Sequence, residues 1–191
     1  MIDRSSRHHT ILGIDPGTNF MGYALLSAEG SHAELIDMGV LDLHKNDNHY
    51  SRLQEIFFFL QKLIDKFEPT TFAIETQFVD KNVQTMLKLA HGQGVAIAAA
   101  LSKDLPINEY SPMKVKMAIT GNGHAGKEQV AAMLQRFMHI PQEQMPKKLD
   151  ATDALAIAYC HYLQLGSPLS SDIHYKGWAD FVKRNPQKIS K

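Results

Sequence analysis

Ile11-Leu12-Gly13-Ile14-Asp15-Pro16-Gly17 is an apolar run that ends on a carboxylate and breaks into a turn. The apolar residues read as a buried strand, and Pro16 and Gly17 supply the turn chemistry that stops it. The same construction recurs at Phe72-Ala73-Ile74-Glu75, a second buried run closed by an acid. A third acidic feature is Asp150-Ala151-Thr152-Asp153-Ala154-Leu155, where two carboxylates open an Ala-rich helix at i, i+3 spacing and share one face. A fold that brings Asp15, Glu75, Asp150 and Asp153 together would form an all-oxygen cage for hard divalent cations, the chemistry that phosphodiester cleavage needs.

The rest of the chain can be placed around these runs. Residues 22–27 return as a second strand, and residues 32–43 contain a third beyond a Glu29-Gly30-Ser31 turn, which predicts an antiparallel meander. Residues 49–67 have helical periodicity in Leu53, Ile56, Phe57, Leu60, Leu63, Ile64 and Phe67, with Ser51 as a candidate N-cap and Pro69 as the stop. A helix before residues 71–75 makes that fourth strand parallel to the first. Residues 83–102 predict a long helix with Met86, Leu89, Ala90, Ile97 and Leu101 on or near one side, and its small residues allow close approach to the sheet or to a second subunit. Residues 105–110 are a fifth strand, and residues 112–119 a short helix. Residues 127–138 are a helix with Val130, Leu134 and Phe137 inward, residues 141–146 a polar loop, and residues 149–165 the last helix. The expected fold is a mixed α/β sheet with helices on both faces. Residues 1–9 read as an extension, residues 10–165 as the domain, and residues 166–191 as a tail that Trp178 and Phe181 would dock.

The composition, 44% hydrophobic and 21% charged over 191 residues, is that of an ordinary globular domain. A single cysteine, Cys160, excludes a disulfide within the chain and a cysteine zinc site. The polar start shows no signal peptide, and no run approaches a membrane span, so a cytoplasmic protein is expected. Net charge is zero, but it is unevenly spread. Residues 1–78 carry 6 Lys and Arg against 11 Asp and Glu, whereas residues 79–148 carry 9 against 5 and residues 167–191 carry 5 against 2. An acidic site beside a basic surface suits a metal-dependent enzyme acting on a polyanion.

Each acid also has an ordinary structural reading. Asp15 before Pro-Gly initiates turns, and Asp-x-Gly-Thr also resembles the phosphate loop of sugar kinases and actin-like ATPases. Glu75 either faces solvent or binds a cation, since burial without a partner is costly. Asp150 and Asp153 suit a helix N-terminus in any case. What separates the readings is the series. The 11–17 and 72–75 runs, Gly22-Tyr23, Phe78, Lys81-Asn82, Leu87-Lys88-Leu89, Gly94-Val95-Ala96-Ile97 and the 150–158 segment occur in order and in register. Together they resemble the RuvC family, bacterial Holliday-junction resolvases of the ribonuclease H-like superfamily.

That resemblance implies a five-stranded ribonuclease H-like fold and a junction endonuclease that leaves 5′-phosphate and 3′-hydroxyl ends. It implies two Mg²⁺ ions, replaceable by Mn²⁺, on Asp15, Glu75, Asp153 and Asp150, the last either as a ligand or one shell behind. It implies that Phe78 stacks on an unpaired base and that Lys116 and Lys127 contact the scissile strand. Lys81 and Asn82 become phosphate contacts, with Lys88, Lys114 and His124 as weaker candidates. It implies a homodimer, which supplies two equivalent sites for a two-fold junction, and a RuvA–RuvB branch-migration partner. The alternatives are an ATPase, which would need a second domain, and a non-catalytic junction binder, which would not need the four carboxylates.

Overall fold

The computed structural model describes residues 8–46, 48–76, 82–146 and 148–165. Strands β1 (His8–Asp15), β2 (Phe20–Glu29) and β3 (His32–Asp42) form the expected antiparallel meander. β4 (Thr71–Glu75) pairs with β1 in parallel, and β5 (Ile107–Tyr110) pairs with β4 in parallel. The sheet order is therefore β3-β2-β1-β4-β5. Two crossover helices, α1 (His49–Phe67) and α2 (Val83–Leu101), make the parallel pairings possible.

β1 lies in the middle and is covered on both faces, which is why its sequence is continuously apolar. Leu12 and Ile14 join a core with Ile56 and Leu60 of α1 and with Ala96 and Ala99 of α2. Ile11 joins a second core with α3 (Pro112–Thr120), α4 (Lys127–Phe137) and α5 (Leu149–Leu165). The polar 141–146 segment contains a single 3₁₀ turn, Gln142–Gln144.

Local expectations change in several places. The N-cap of α1 is Asn48, whose side chain accepts the Ser51 N–H at 3.0 Å; Ser51 lies inside the first turn. The helix ends at Glu68, a residue before Pro69, where a left-handed backbone (φ 45°) lets the N–H reach Ile64 O. The face of α2 turned to the core is made of Gly92, Ala96, Ala99 and Ala100, with half-buried Ile97 packed against it, whereas Met86 and Leu89 are half-buried and Ala90 and Leu101 exposed. Small side chains let α2 sit close to α1 and the sheet, which leaves its larger residues toward the surface. On α4, Val130 and Leu134 are buried as expected, but Phe137 is exposed.

The placement of α5 matters most. Gly13 in β1 and Gly22 in β2 have no side chain to hold it off. A Cβ on Gly13 would stand 2.5 Å from Ala154 O and 2.7 Å from Ala158 Cβ, and one on Gly22 would collide with the carbonyl of Asp150. Further along α5, buried His161 links it to the strands, with Nε2 3.2 Å from Thr71 Oγ1 and Nδ1 2.7 Å from the Tyr110 hydroxyl. Burial pushes His161 down to about 4, so it stays neutral near pH 7. Gly13→Ala should cost about 1–3 kcal/mol through overpacking against backbone that cannot move. Thermal unfolding should show this as a fall of about 2–4 °C per kcal/mol. Gly92→Ala is the contrast: its Cβ would meet only Ile56 Cδ1 at 3.7 Å, an ordinary contact, and its higher helix propensity should leave stability equal or raised by up to ~1 kcal/mol.

Candidate active site

The register that pairs Ile14 with Ile74 brings the next residues, Asp15 and Glu75, to neighbouring strand ends. Both follow the alternation set by Gly13 and Ala73, the face of the sheet on which α5 lies. The N-terminus of α5 reaches the same edge, because Gly22, opposite Asp15 in the β1–β2 ladder, abuts the backbone of Asp150. Asp15, Glu75 and Asp153 line one pocket with Lys116 of α3 and Lys127 of α4, over an apolar floor that includes Val115, Val130 and Ala156. Asp150 does not line it, although its charge acts on Asp15. The Lys127 ammonium donates a short, charge-assisted hydrogen bond to Asp153 Oδ2.

The electrostatics show what this crowding does. Burial holds the Asp15 carboxyl well above the usual carboxylate range, and the charges of Glu75, Asp153 and Asp150 add to it against the opposing charge of Lys127. Glu75 is pushed up to about 7, first by burial and then by Asp153, while Lys127 and Lys116 oppose the shift. Asp153 is raised by burial, with the Lys127 hydrogen bond and charge working the other way. Burial works against the Lys127 ammonium, yet Asp153, Asp15 and Asp150 hold its pKa above the ordinary lysine value. Full ionisation of the three acids is thus disfavoured even with two ammoniums, Lys116 and Lys127, in the pocket, and near neutral pH the metal-free site holds protons in place of part of that charge.

Among the described residues, no three His, Cys, Asp or Glu side chains are drawn tightly enough together to ligate an ion as they stand. The donor chemistry still fits a hard divalent cation: the potential ligands are carboxylate oxygens, a cation would take the place of the protons they hold, and one acid is paired with a half-exposed ammonium. Of the other expected site residues, Phe78 and Lys81 lie outside the described residues. Asn82 is the N-cap of α2, its side chain accepting the Thr85 N–H at 3.1 Å. His124 is exposed and does not line the pocket. Gly13 and Gly22 stand inside the sequence motifs without chemistry of their own, and the structure gives them a role in placing α5. Glycine inside a strand is itself a signal of close backbone approach.

The model for the family described as crossover junction endodeoxyribonuclease RuvC matches residues 11–161. The chain belongs to the RuvC family. Its relatives include the RuvC crossover junction endodeoxyribonuclease of Bacteroides fragilis, 55% identical over 94% of this chain and 95% of that one. That of Porphyromonas gingivalis is 54% identical over 97% and 99%. Among solved structures, Thermus thermophilus RuvC in complex with a Holliday junction substrate superposes with a TM-score of 0.77, at 29% identity, over 83% of this chain and 96% of that one. The fold is the ribonuclease H-like one of these RuvC structures. The yeast mitochondrial Holliday junction resolvase Ydc2 shares it at 17% identity and a TM-score of 0.63, over 94% of this chain and 84% of that one.

The raised carboxylates make a prediction for the metal-free protein. Glu75 ionises near 4.5 in an unfolded chain and about 7 when folded. The folded state therefore binds the extra proton, and stability falls as pH rises through that window. In EDTA, Glu75→Gln should unfold at a temperature a few degrees higher than wild type at pH 8, and the gain should vanish at about pH 4.5. An equal or lower melting temperature at pH 8 would show that the site does not strain the fold.

Proposed function

We propose that Asp15, Glu75 and Asp153 bind two Mg²⁺ ions directly, with Asp150 completing the charge around them, and that Mn²⁺ can replace Mg²⁺. As a RuvC-family member the chain is an endonuclease that resolves four-way DNA junctions, and its chemistry depends on a divalent metal. The observation that supports these residues as the site is the convergence of buried like-charged carboxylates at one strand edge, raised in pKa and balanced only in part by Lys127. Bound there, the cations would supply an activated water and stabilise the departing 3′ oxygen. The chain's own residues do the rest. β1 and β4 fix Asp15 and Glu75 rigidly. Lys127 pairs with Asp153 here, and its ammonium would be free to face the phosphate once that carboxylate was engaged by a cation. Lys116, which lines the same pocket, holds the same strand. The floor of Val115, Val130 and Ala156 keeps bulk water from beneath the reacting group. The products are a 5′-phosphate and a 3′-hydroxyl.

We assign residues 10–165 to the nuclease domain; residues 166–191, expected as a tail docked by Trp178 and Phe181, lie outside the described residues. Two equivalent cuts across a two-fold junction require two equivalent sites, and a homodimer supplies them. Its support is an exposed stripe on α2 made of Leu87, Ala90, Gly94, Ala98 and Leu101, apolar and small at helical spacing. The paired sites would then follow a branch-migration complex of the RuvA–RuvB kind. No described helix is long and apolar enough to cross a membrane.

Asp15→Asn, Glu75→Gln and Asp153→Asn should each abolish cutting of a synthetic four-way junction in Mg²⁺. Junction binding, measured in EDTA, should persist or tighten because an acid near phosphate has been neutralised. A variant that cuts at near wild-type rate removes that residue from the site. Mg²⁺ should also raise the melting temperature of wild type, by the linkage of a ligand that binds only the folded state, and should fail to do so for Asp15→Asn.

A further inference from the structure

A second concave site lies at the same edge of the sheet, on the α1–α2 side. It is a cavity of about 220 Å³ between the turn after Asp15, the first turn of α1 and the N-terminal half of α2. Gly17 and Thr18 come from the turn, His49 and Arg52 from α1, and Lys88 and Gly92 from α2. No Asp or Glu is among the described residues that line it. With a water filling about 30 Å³, it holds several waters, and so a tetrahedral phosphate with part of its hydration.

Arg52 is the informative residue. Its Nη1 donates to Thr18 O at 3.0 Å and to Asn19 Oδ1 at 2.9 Å, which fastens the turn that follows Asp15. Its Nε is buried and has no hydrogen-bond partner among the described residues. That atom is closed to the cavity, but no carboxylate pairs with the guanidinium among the described residues, so its charge is left for an anionic ligand to balance. Around it, Lys88 is exposed, and His49 Nε2 lies 3.0 Å from His91 Nδ1. Burial lowers the His49 pKa, and the charges of His91, Lys88 and Arg52 lower it further, which registers the positive potential gathered there. The positive end of the α1 dipole falls at the same place.

We propose that this cavity seats a backbone phosphate of the junction strand that runs through the active site, a few nucleotides from the incision. The proposal rests on the reading of the chain as a junction endonuclease. Thr18 follows Asp15 by three residues, so the seat and the catalytic edge are at most about 11 Å apart along the backbone. Successive phosphates on one strand rise about 3.4 Å, which puts a neighbouring phosphate within reach of Arg52 and Lys88. Because Arg52 also holds the turn, a phosphate in the seat stiffens the backbone that carries Asp15. Arg52 is thus a positioning residue, and Lys88 contributes charge.

The test is Lys88→Gln in the full chain, since Lys88 is exposed and its replacement leaves the Arg52 clamp intact. Junction binding in EDTA should show a salt slope smaller by about 0.9, the value of one phosphate that Lys88 no longer neutralises. Junctions carrying a single methylphosphonate at each position within a few nucleotides of the incision should reveal one position where wild type binds about tenfold more weakly. At that position the Lys88→Gln variant should weaken little further. An unchanged salt slope, with penalties that add at every position, overturns the seat. A wild-type chain that neither binds nor cuts a junction while remaining folded sinks the functional reading instead. The seat then stands or falls on inorganic phosphate alone: it stands if phosphate raises the melting temperature of wild type but not of Lys88→Gln, and is removed if both respond alike.

Discussion

The backbone contact between α5 and the sheet is the constraint on which the rest depends. Gly13 and Gly22 lie beneath this helix, and a methyl group on either would collide with its backbone. Only at that distance does the first turn of α5 meet the ends of β1 and β4. The carboxylates then need no long side-chain reach: two stand at strand ends and one is a turn into a helix, all on stiff elements. A site built this way is more rigid than one carried on loops. The buried bridge from His161 to Thr71 and Tyr110 fixes the same helix along its length, so α5 cannot slide past the strands.

That rigidity has an electrostatic consequence. Bringing Asp15, Glu75 and Asp153 into one half-buried pocket raises all three from their ordinary values, first through burial, and this works against the fold at neutral pH. One ammonium, Lys127, relieves part of the repulsion by pairing with Asp153. The remainder is a standing attraction for cations. The same burial and crowding that work against the metal-free fold would be relieved by a cation, and the cores on both faces of the sheet must be large enough to carry the cost.

Most of the fold is legible in the sequence because its elements follow simple periods. β1 and β4 are buried on both faces and read as unbroken apolar runs. α1 is half-exposed and shows a 3.6-residue stripe, realised in buried Ile56, Leu60, Leu63 and Ile64. The orientation of α2 is harder to read for a physical reason. Its core face is Gly92, Ala96, Ala99 and Ala100, and small residues give no hydrophobic contrast, so the larger Met86 and Leu89 draw the eye to the wrong side. Ser51 is not the cap of α1 because Asn48, three residues earlier, offers a better-placed acceptor. Asp15, Glu75 and Asp153 are each ordinary taken singly, and only as a set, two acids closing apolar strands and a third in the first turns of an Ala-rich helix, do they point to the common pocket in which the structure places them. Arg52 is not legible, since nothing in a run of helical residues marks an arginine whose partners, Thr18 and Asn19, lie more than thirty positions away.

The sheet edge therefore carries two opposite charges within a short stretch of chain. On one face carboxylates gather beneath α5, and on the other Arg52, Lys88 and two histidines gather between α1 and α2, with the turn of residues 15–19 running between. A chain of zero net charge can still hold a polyanion when its charge is sorted in this way, because attraction at a Debye length of about 10 Å is decided locally. The sorting also orients the strand. Phosphate is drawn to the basic side, whereas the carboxylates of the other pocket disfavour it. The turn from Asp15 to Asn19, clamped by Arg52, borders both pockets, so whatever fixes this piece of backbone bears on each of them.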